Sequence, residues 1–201
     1  MESIVLVGGG GHAGVLVDLI VSSGAFTIAG IVDKNIEKRS IVHGFEVLGD
    51  DDALTDILDR GVRNACLAIG SVKQDKLRET AYGKIVRLGF RLPPLVHPAA
   101  IVARDVSLGD GAQIMAGAVV QRGVRIGSNT IINTGSIVDH DCVIGDHVHI
   151  GPGVVMSGHC MIGKGTFIGV GSTLIQGIRI EEDQFIRAGS VVTKNMIEET
   201  R

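Results

Sequence analysis

Four of the seven histidines, His140, His147, His149 and His159, fall within 20 residues of one another, among Asn129, Asn133, Asp139, Asp141 and Asp146. His140 followed directly by Asp141 suits general-base catalysis, because an imidazole titrates near neutrality and an adjacent carboxylate can fix its tautomer and raise its basicity. Gly158 lies 18 residues after His140, and a glycine amide can donate to a developing oxyanion. Other chemistries fit less well. Zinc binding would use the same residue types, but no thiolate pair accompanies them and the spacing matches no standard site, so no metal is expected. Cys142 and Cys160 could be thiol nucleophiles, yet a repeat position that favours small residues accounts for both. Read singly, His147 and His159 fit solvent-facing positions.

A second feature sits at the other end of the chain. Ile4 to Val7 is an apolar run closed by Gly8-Gly9-Gly10-Gly11-His12-Ala13-Gly14, and Val15 to Ile20 continues as a helix. In a strand, glycine turn and helix of this kind, the glycines let a phosphate approach the backbone and the helix offers it free amides. The next strand, Phe26 to Val32, ends on Asp33, where a mononucleotide-binding fold places an acid that contacts ribose or base. The plain alternative is a tight turn with no ligand. About 90 residues make only half of a dinucleotide fold, so a sugar nucleotide is a better expectation than NAD.

The elements that must position these residues change character halfway. Phe45 and Val47 predict a short strand, Asp51 to Arg60 a helix, Asn64 to Ile69 a strand ending at Gly70-Ser71, and Lys73 to Leu88 a long helix. This alternation predicts an α/β unit with a parallel sheet of about four strands. Leu92-Pro93-Pro94-Leu95 breaks the pattern, which divides the chain into domains 1–92 and 93–201. From Val96 to Val192 every sixth residue is aliphatic or Met, 17 positions without a slip. Neither a helical nor a plain strand period explains that run. Short strands joined by tight turns do, with three hexads to a coil and residues 18 apart stacked. The result is a parallel β-helix of five to six coils. Nine residues separate His140 from His149, half a coil, so the two lie on neighbouring faces and reach one ligand chiefly where two subunits meet.

Composition narrows the classes further. With 45% hydrophobic and 20% charged residues the chain is expected to fold, and a net charge of −3 gives no basic excess to attract nucleic acid. Three widely spaced cysteines predict no disulfide framework and suit a reducing, cytoplasmic setting. No membrane span or basic leader is expected. Aromatic residues make up only 3%, so the core must be stacked aliphatics.

With the glycine turn, Asp33, the hexads and Asn133-Thr134-Gly135-Ser136-Ile137-Val138-Asp139-His140-Asp141-Cys142, the chain resembles the bacterial sugar O-acyltransferase family. Its members include sialic-acid O-acetyltransferases and UDP-4-amino-sugar N-acetyltransferases. The resemblance implies a homotrimer of chains that each join a small Rossmann-like domain to a left-handed β-helix, with acetyl-CoA as cosubstrate and active sites between adjacent β-helices. It places the catalytic histidine at His140, its orienting acid at Asp141, a histidine near the acetyl-CoA carbonyl at His149, the oxyanion amide at Gly158 and an active-site asparagine at Asn133. CoA is expected along Gly151, Lys164, Gly169 and Val170, and the nucleotide at Gly8, Gly10, His12, Asp33, Lys34 and Gly70. The expected reaction is acetylation of the 4-amino group of a UDP-linked 4-amino-4,6-dideoxysugar. The alternatives are a GDP-linked amino sugar such as GDP-perosamine, a sialic-acid hydroxyl, or a non-catalytic trimeric scaffold.

Overall fold

The computed structural model describes residues 1–70 and 76–196, and the chain divides into two compact units, 1–93 and 94–201. The first unit alternates β1 (Glu2–Val7), α1 (Gly11–Ser23), β2 (Phe26–Val32), β3 (Ile41–Val42), β4 (Phe45–Gly49), α2 (Ala53–Asp59), β5 (Asn64–Leu67) and α3 (Leu77–Leu88). The sheet order is β3-β4-β2-β1-β5. β4, β2, β1 and β5 are parallel, as the alternation predicts, whereas β3 is an added antiparallel edge on β4. Val5, Val7, Val32, Leu54, Leu67 and Ile85 pack into one core. Ala13, Leu16, Leu19 and Ile20 are the buried positions of α1, at the spacing of a single helical face. The expected helix from Lys73 is seen from Leu77, and Ser71 and residues 73–75 lie outside the described residues.

The second unit is a parallel β-helix of 17 two-residue strands. Its first face stacks the strands from Leu95–Val96 to Phe185–Ile186, its second those from Ile101–Val102 to Val191–Val192, and its third those from Ser107–Leu108 to Arg179–Ile180. Each strand pairs in parallel with the strand 18 residues on, for example Ile137 with Val155 and Val138 with Met156. The second residue of every strand points inward, so the aliphatic hexad positions are the core, with Ile114, Ile132, Val138, Ile150, Met156, Ile168 and Leu174 fully buried. Burying one such side chain contributes about 1.5–3 kcal/mol, and each coil also supplies the backbone partners of the next. Residues beyond the last strand extend this pairing, since Met196 bridges Ile180; residues 197–201 lie outside the described residues.

Two further columns hold the corners. Thr130, Ser136, Thr166 and Ser172 each donate a hydroxyl hydrogen to the carbonyl 15 residues on, at 2.8–3.1 Å. Cys142 and Cys160 do the same with their thiols at 3.3 Å. Both cysteines are buried, and the hydrogen bond with Cys160 together with burial pushes the Cys142 thiol up. Their role is that of a turn-bridging small residue. From 111 to 189 every sixth residue is left-handed, and the nine glycines in that series are interrupted by Asn129, Asp141, His147, His159 and Asp183.

Candidate active site

The β-helix sorts the polar residues of its middle coils onto three corners. Asn129, Asp146 and His147 fall between the third and first faces, where Asn129 Nδ2 meets His147 Nδ1 at 2.9 Å and Asp146 Oδ1 accepts from the Ser128 amide at 2.7 Å. These contacts knit adjacent coils together.

Asn133 and His149 meet at the corner between the first and second faces. Asn133 Oδ1 accepts the Thr134 amide at 2.8 Å, which turns Nδ2 toward His149 Nε2 at 3.1 Å. An amide nitrogen can only donate, so Nε2 accepts and His149 carries its hydrogen on Nδ1. The ring is 7% exposed and tilts against Phe167 at a centroid distance of 5.0 Å; Phe167 in turn stacks on Phe185 at 5.2 Å. Gly151 and Gly169 continue the Asn133 column coil by coil, with the exposed Val170 beside them. Their glycine identity has a packing reason, because a β-carbon at Gly151 would stand 2.6 Å from the Ile168 carbonyl oxygen and one at Gly169 would strike the Ala188 amide. Lys164 is not on this column; it lies at the corner between the third and first faces.

His140, Asp141 and Gly158 occupy the corner between the second and third faces. His140 Nδ1 donates to Asp141 Oδ2 at 2.9 Å, and its own amide donates to Asp139 Oδ1 at 2.7 Å. The hydrogen bond from His140 is the main cause that holds the Asp141 carboxyl below its ordinary value, with the charges of His159 and Arg122 acting in the same sense. With Nδ1 committed to Asp141, Nε2 carries the lone pair that can take a proton. Gly158 lies beside that nitrogen, since a β-carbon there would stand 2.6 Å from both Cε1 and Nε2. Amides at this turn position lie outside the coil ladders. Those of Ser128, Thr134 and His140 are capped by side chains, whereas that of Gly158, like those of Ala116, Asp146 and Gln176, meets no backbone or side-chain acceptor among the described residues. The corner therefore sets a base nitrogen beside an uncommitted donor.

His140 and His149 flank the second face within one chain and have different partners. His159, solvent-facing when read singly, comes together with Gly123 around Asp141, and the charge of Arg122 acts on the same carboxylate. His159 Nε2 is 3.9 Å from Asp141 Oδ2, and a β-carbon at Gly123 would strike Asp141 Oδ1. The signal is the 18-residue step through 123, 141 and 159.

In the first unit, Gly8, Gly10, His12, Asp33, Lys34 and Gly70 all line one cavity of about 590 Å³, together with Asp51, Thr80 and Lys84. The glycines differ in why they are glycines. Gly8 has φ 111° and presses on the Ala68 backbone, while β-carbons at Gly10 and Gly11 would meet nothing within 4 Å. That open space adjoins the first turn of α1, which has no side-chain cap and no acidic residue, a composition that suits an anion at the positive end of the helix. Asp33 is engaged with the fold, its Oδ2 accepting the Gly9 amide at 2.7 Å and its Oδ1 the Asn35 amide at 2.8 Å. It shapes the turn directly. Behind the cavity, buried Arg78 donates through Nη1 to the Leu67 and Ile69 carbonyls at 3.1 and 2.6 Å, and burial pushes its guanidinium down to about 9.

Comparison with known proteins places both units. Residues 3–84 match the family described as PglD N-terminal domain, residues 105–138 and 123–158 match the bacterial transferase hexapeptide (six repeats), and residues 160–194 match the hexapeptide repeat of succinyl-transferase. A mutant perosamine N-acetyltransferase from Caulobacter crescentus, solved with CoA and GDP-perosamine, is 37% identical with a TM-score of 0.92, covering 98% of this chain and 90% of that one. The acetyltransferase domain of PglB from Neisseria gonorrhoeae is 31% identical with a TM-score of 0.89, covering 98% and 94%. WeeI from Acinetobacter baumannii, 19% identical with a TM-score of 0.58 over 96% and 97%, shares the fold. No curated sequence matches the chain. No helix among the described residues is long and apolar enough to cross a membrane.

Proposed function

The chain belongs to the bacterial hexapeptide-repeat acyltransferases, whose β-helix is left-handed, and on that footing we propose that it acetylates the amine of a GDP-linked amino sugar of the GDP-perosamine type, with acetyl-CoA as donor. Relatives solved with CoA and GDP-perosamine, or with acetyl coenzyme A, cover nearly the whole chain. They favour the GDP-linked acceptor over the UDP-linked sugar expected from the glycine turn. That turn reports a phosphate and carries no information about the base.

The observation that carries the reading is the His140 corner. His140 Nε2 removes the proton from the attacking amine, and Asp141 stabilises the imidazolium that results. The Gly158 amide donates to the oxyanion of the tetrahedral adduct. His140 then returns the proton as the CoA thiolate leaves. Each bond made or broken lies between the amine and the thioester, so no covalent enzyme intermediate is needed.

The first unit is read as a Rossmann-like nucleotide-sugar domain that takes the diphosphate at Gly8, Gly10, Gly11 and His12, with Asp33 holding the turn and Lys34 and Gly70 lining the remainder. For CoA, the first-face corner formed by Asn133, His149, Gly151, Gly169 and Val170 is the candidate surface. A homotrimer is supported by the second face, whose outward residues Ile101, Val119, Ile137 and Val155 form an aliphatic ladder that Thr173 interrupts before Val191, with Ile101 and Val191 67% and 69% exposed. Because this face separates the His149 corner from the His140 corner, chains packed there would bring one of each together.

The test is to follow release of CoA thiol from acetyl-CoA with GDP-perosamine and with UDP-linked 4-amino-4,6-dideoxysugars. Rapid release with the GDP-linked amine is expected. Release only with a UDP-linked amine restores the other acceptor, and release with none overturns N-acetylation.

A further inference from the structure

One coil beyond Asp141 stands a histidine that the chemistry above leaves unused. His159 Nε2 lies 3.9 Å from Asp141 Oδ2, the same oxygen that receives the His140 Nδ1 hydrogen at 2.9 Å. The two imidazoles meet edge to face, with centroids 5.0 Å apart and planes at 89°. Both Asp141 and His159 stand at left-handed corner positions with φ 59°, in a series where glycine is the commoner occupant. The glycines on either side of this pair, Gly123 and Gly177, leave one carboxylate and two imidazoles to settle their contacts among themselves.

The charges around His159 are few. His140 and Asp141 face it from the coil before, where Asp139 takes the His140 amide. Arg122 acts on Asp141 from one coil further back, with Asp105 3.9 Å from its Nε. The coil after contributes Gln176 and Gly177, which carry no charge.

We propose that His159 is a positioning residue for the general base, competing with His140 for Asp141 Oδ2, so that a proton on His159 draws the carboxylate away and sets a like charge beside His140. The inference rests on the reading of His140 as the base. With His159 neutral, Asp141 serves His140 alone, and proton transfer from the amine is supported. With His159 protonated, Asp141 is shared between two rings and a like charge faces His140, so the imidazolium formed at His140 during the reaction is less well supported. Two protons, rather than one, then shape the acid side of the pH–rate profile.

The experiment follows the His140 Cε1–H resonance against pH in the full-length protein, for wild type, His159→Asn and His159→Lys. Asparagine tolerates the left-handed backbone and removes the titrating ring, while lysine fixes a positive charge. His159→Asn is expected to move the His140 midpoint upward by roughly half to one pH unit and His159→Lys to move it downward by a similar amount, as two charges about 5 Å apart at the protein surface require. The acid limb of kcat/KM should move with it, and the rate of His159→Asn on the high-pH plateau should stay within about threefold of wild type. Midpoints that stay within about 0.2 pH units of wild type in both variants, or that move in the same direction, overturn the proposal. If the lysine variant does not fold, the asparagine variant decides alone. The resonance needs no acceptor sugar, so the two readings fail separately. Shifted midpoints with an active His140→Ala enzyme would sink the base assignment, whereas unshifted midpoints with an inactive His140→Ala enzyme would sink only the role of His159.

Discussion

Gly158 is a glycine because of His140: a β-carbon there would stand 2.6 Å from Cε1 and Nε2 of the ring, although the backbone at Gly158 is not in the left-handed region. Gly158→Ala therefore fits the chain but not the imidazole. A displaced base about 1 Å out of place lowers kcat by roughly 100-fold. The melting temperature, measured alongside kcat, is expected to shift by no more than a few degrees.

His140→Ala tests the base directly. Turnover is expected to fall about 10²- to 10⁴-fold, and stability, read from thermal melting, to change by no more than about 0.5 kcal/mol because the side chain is 42% exposed. Near-normal turnover would refute the assignment.

The hydrogen bond from His140 lowers the Asp141 carboxyl in the folded chain. A depressed folded value means that the pairing stabilises the fold above the unfolded carboxylate value and is lost only as pH falls through the lower folded one. The Asp141 carboxylate thus stays ionised through mildly acidic pH. Asp141→Asn should lower the kcat plateau while an acid limb persists, which a pH–rate profile will show.

Asp33 ties the Gly9 and Asn35 amides together. Asp33→Ala leaves both without their acceptor and is expected to destabilise the chain by about 1–3 kcal/mol. It should also weaken GDP binding measured by calorimetry. If affinity falls while denaturant stability is unchanged, Asp33 acts on the ligand and not through the turn.

Arg78 holds two carbonyls at the end of β5, next to Gly70 in the cavity wall. Arg78→Met keeps much of the bulk but removes both of these hydrogen bonds, with an expected loss of about 1–3 kcal/mol in chemical denaturation and a raised KM for the nucleotide sugar.

How far these features can be read in the sequence depends on how many residues share in specifying them. The inward ladder from Val96 to Val192 repeats one requirement 17 times, and β2 appears over the same residues, Phe26–Val32, as its apolar run. The Ile41–Val42 edge has only two residues between Ser40 and His43, too few to establish a period, and its partner strand decides its existence. Of the candidate site, the adjacency of His140 and Asp141 is explicit in the chain, and the 18-residue step leads to Gly158. His159 looks solvent-facing when considered alone and gains meaning only when the same step is applied from Asp141. Residues 10 and 11 illustrate the converse, since a run of four glycines looks uniform and only the packed structure separates those the fold demands from those it leaves open. The base of the nucleotide had no motif to betray it.

The uniform coil has a consequence for how this architecture tolerates change in length. Removing or duplicating a block of 18 residues beyond His140 and Asp141, such as 160–177, would move the outer end along the coil axis by one step while every remaining side chain keeps its bearing. One extra residue in the same stretch would instead rotate everything downstream out of phase, turning core outward. Gain and loss of material in this half of the molecule are therefore quantised: whole turns of the screw are permitted, and fractions of a turn are forbidden.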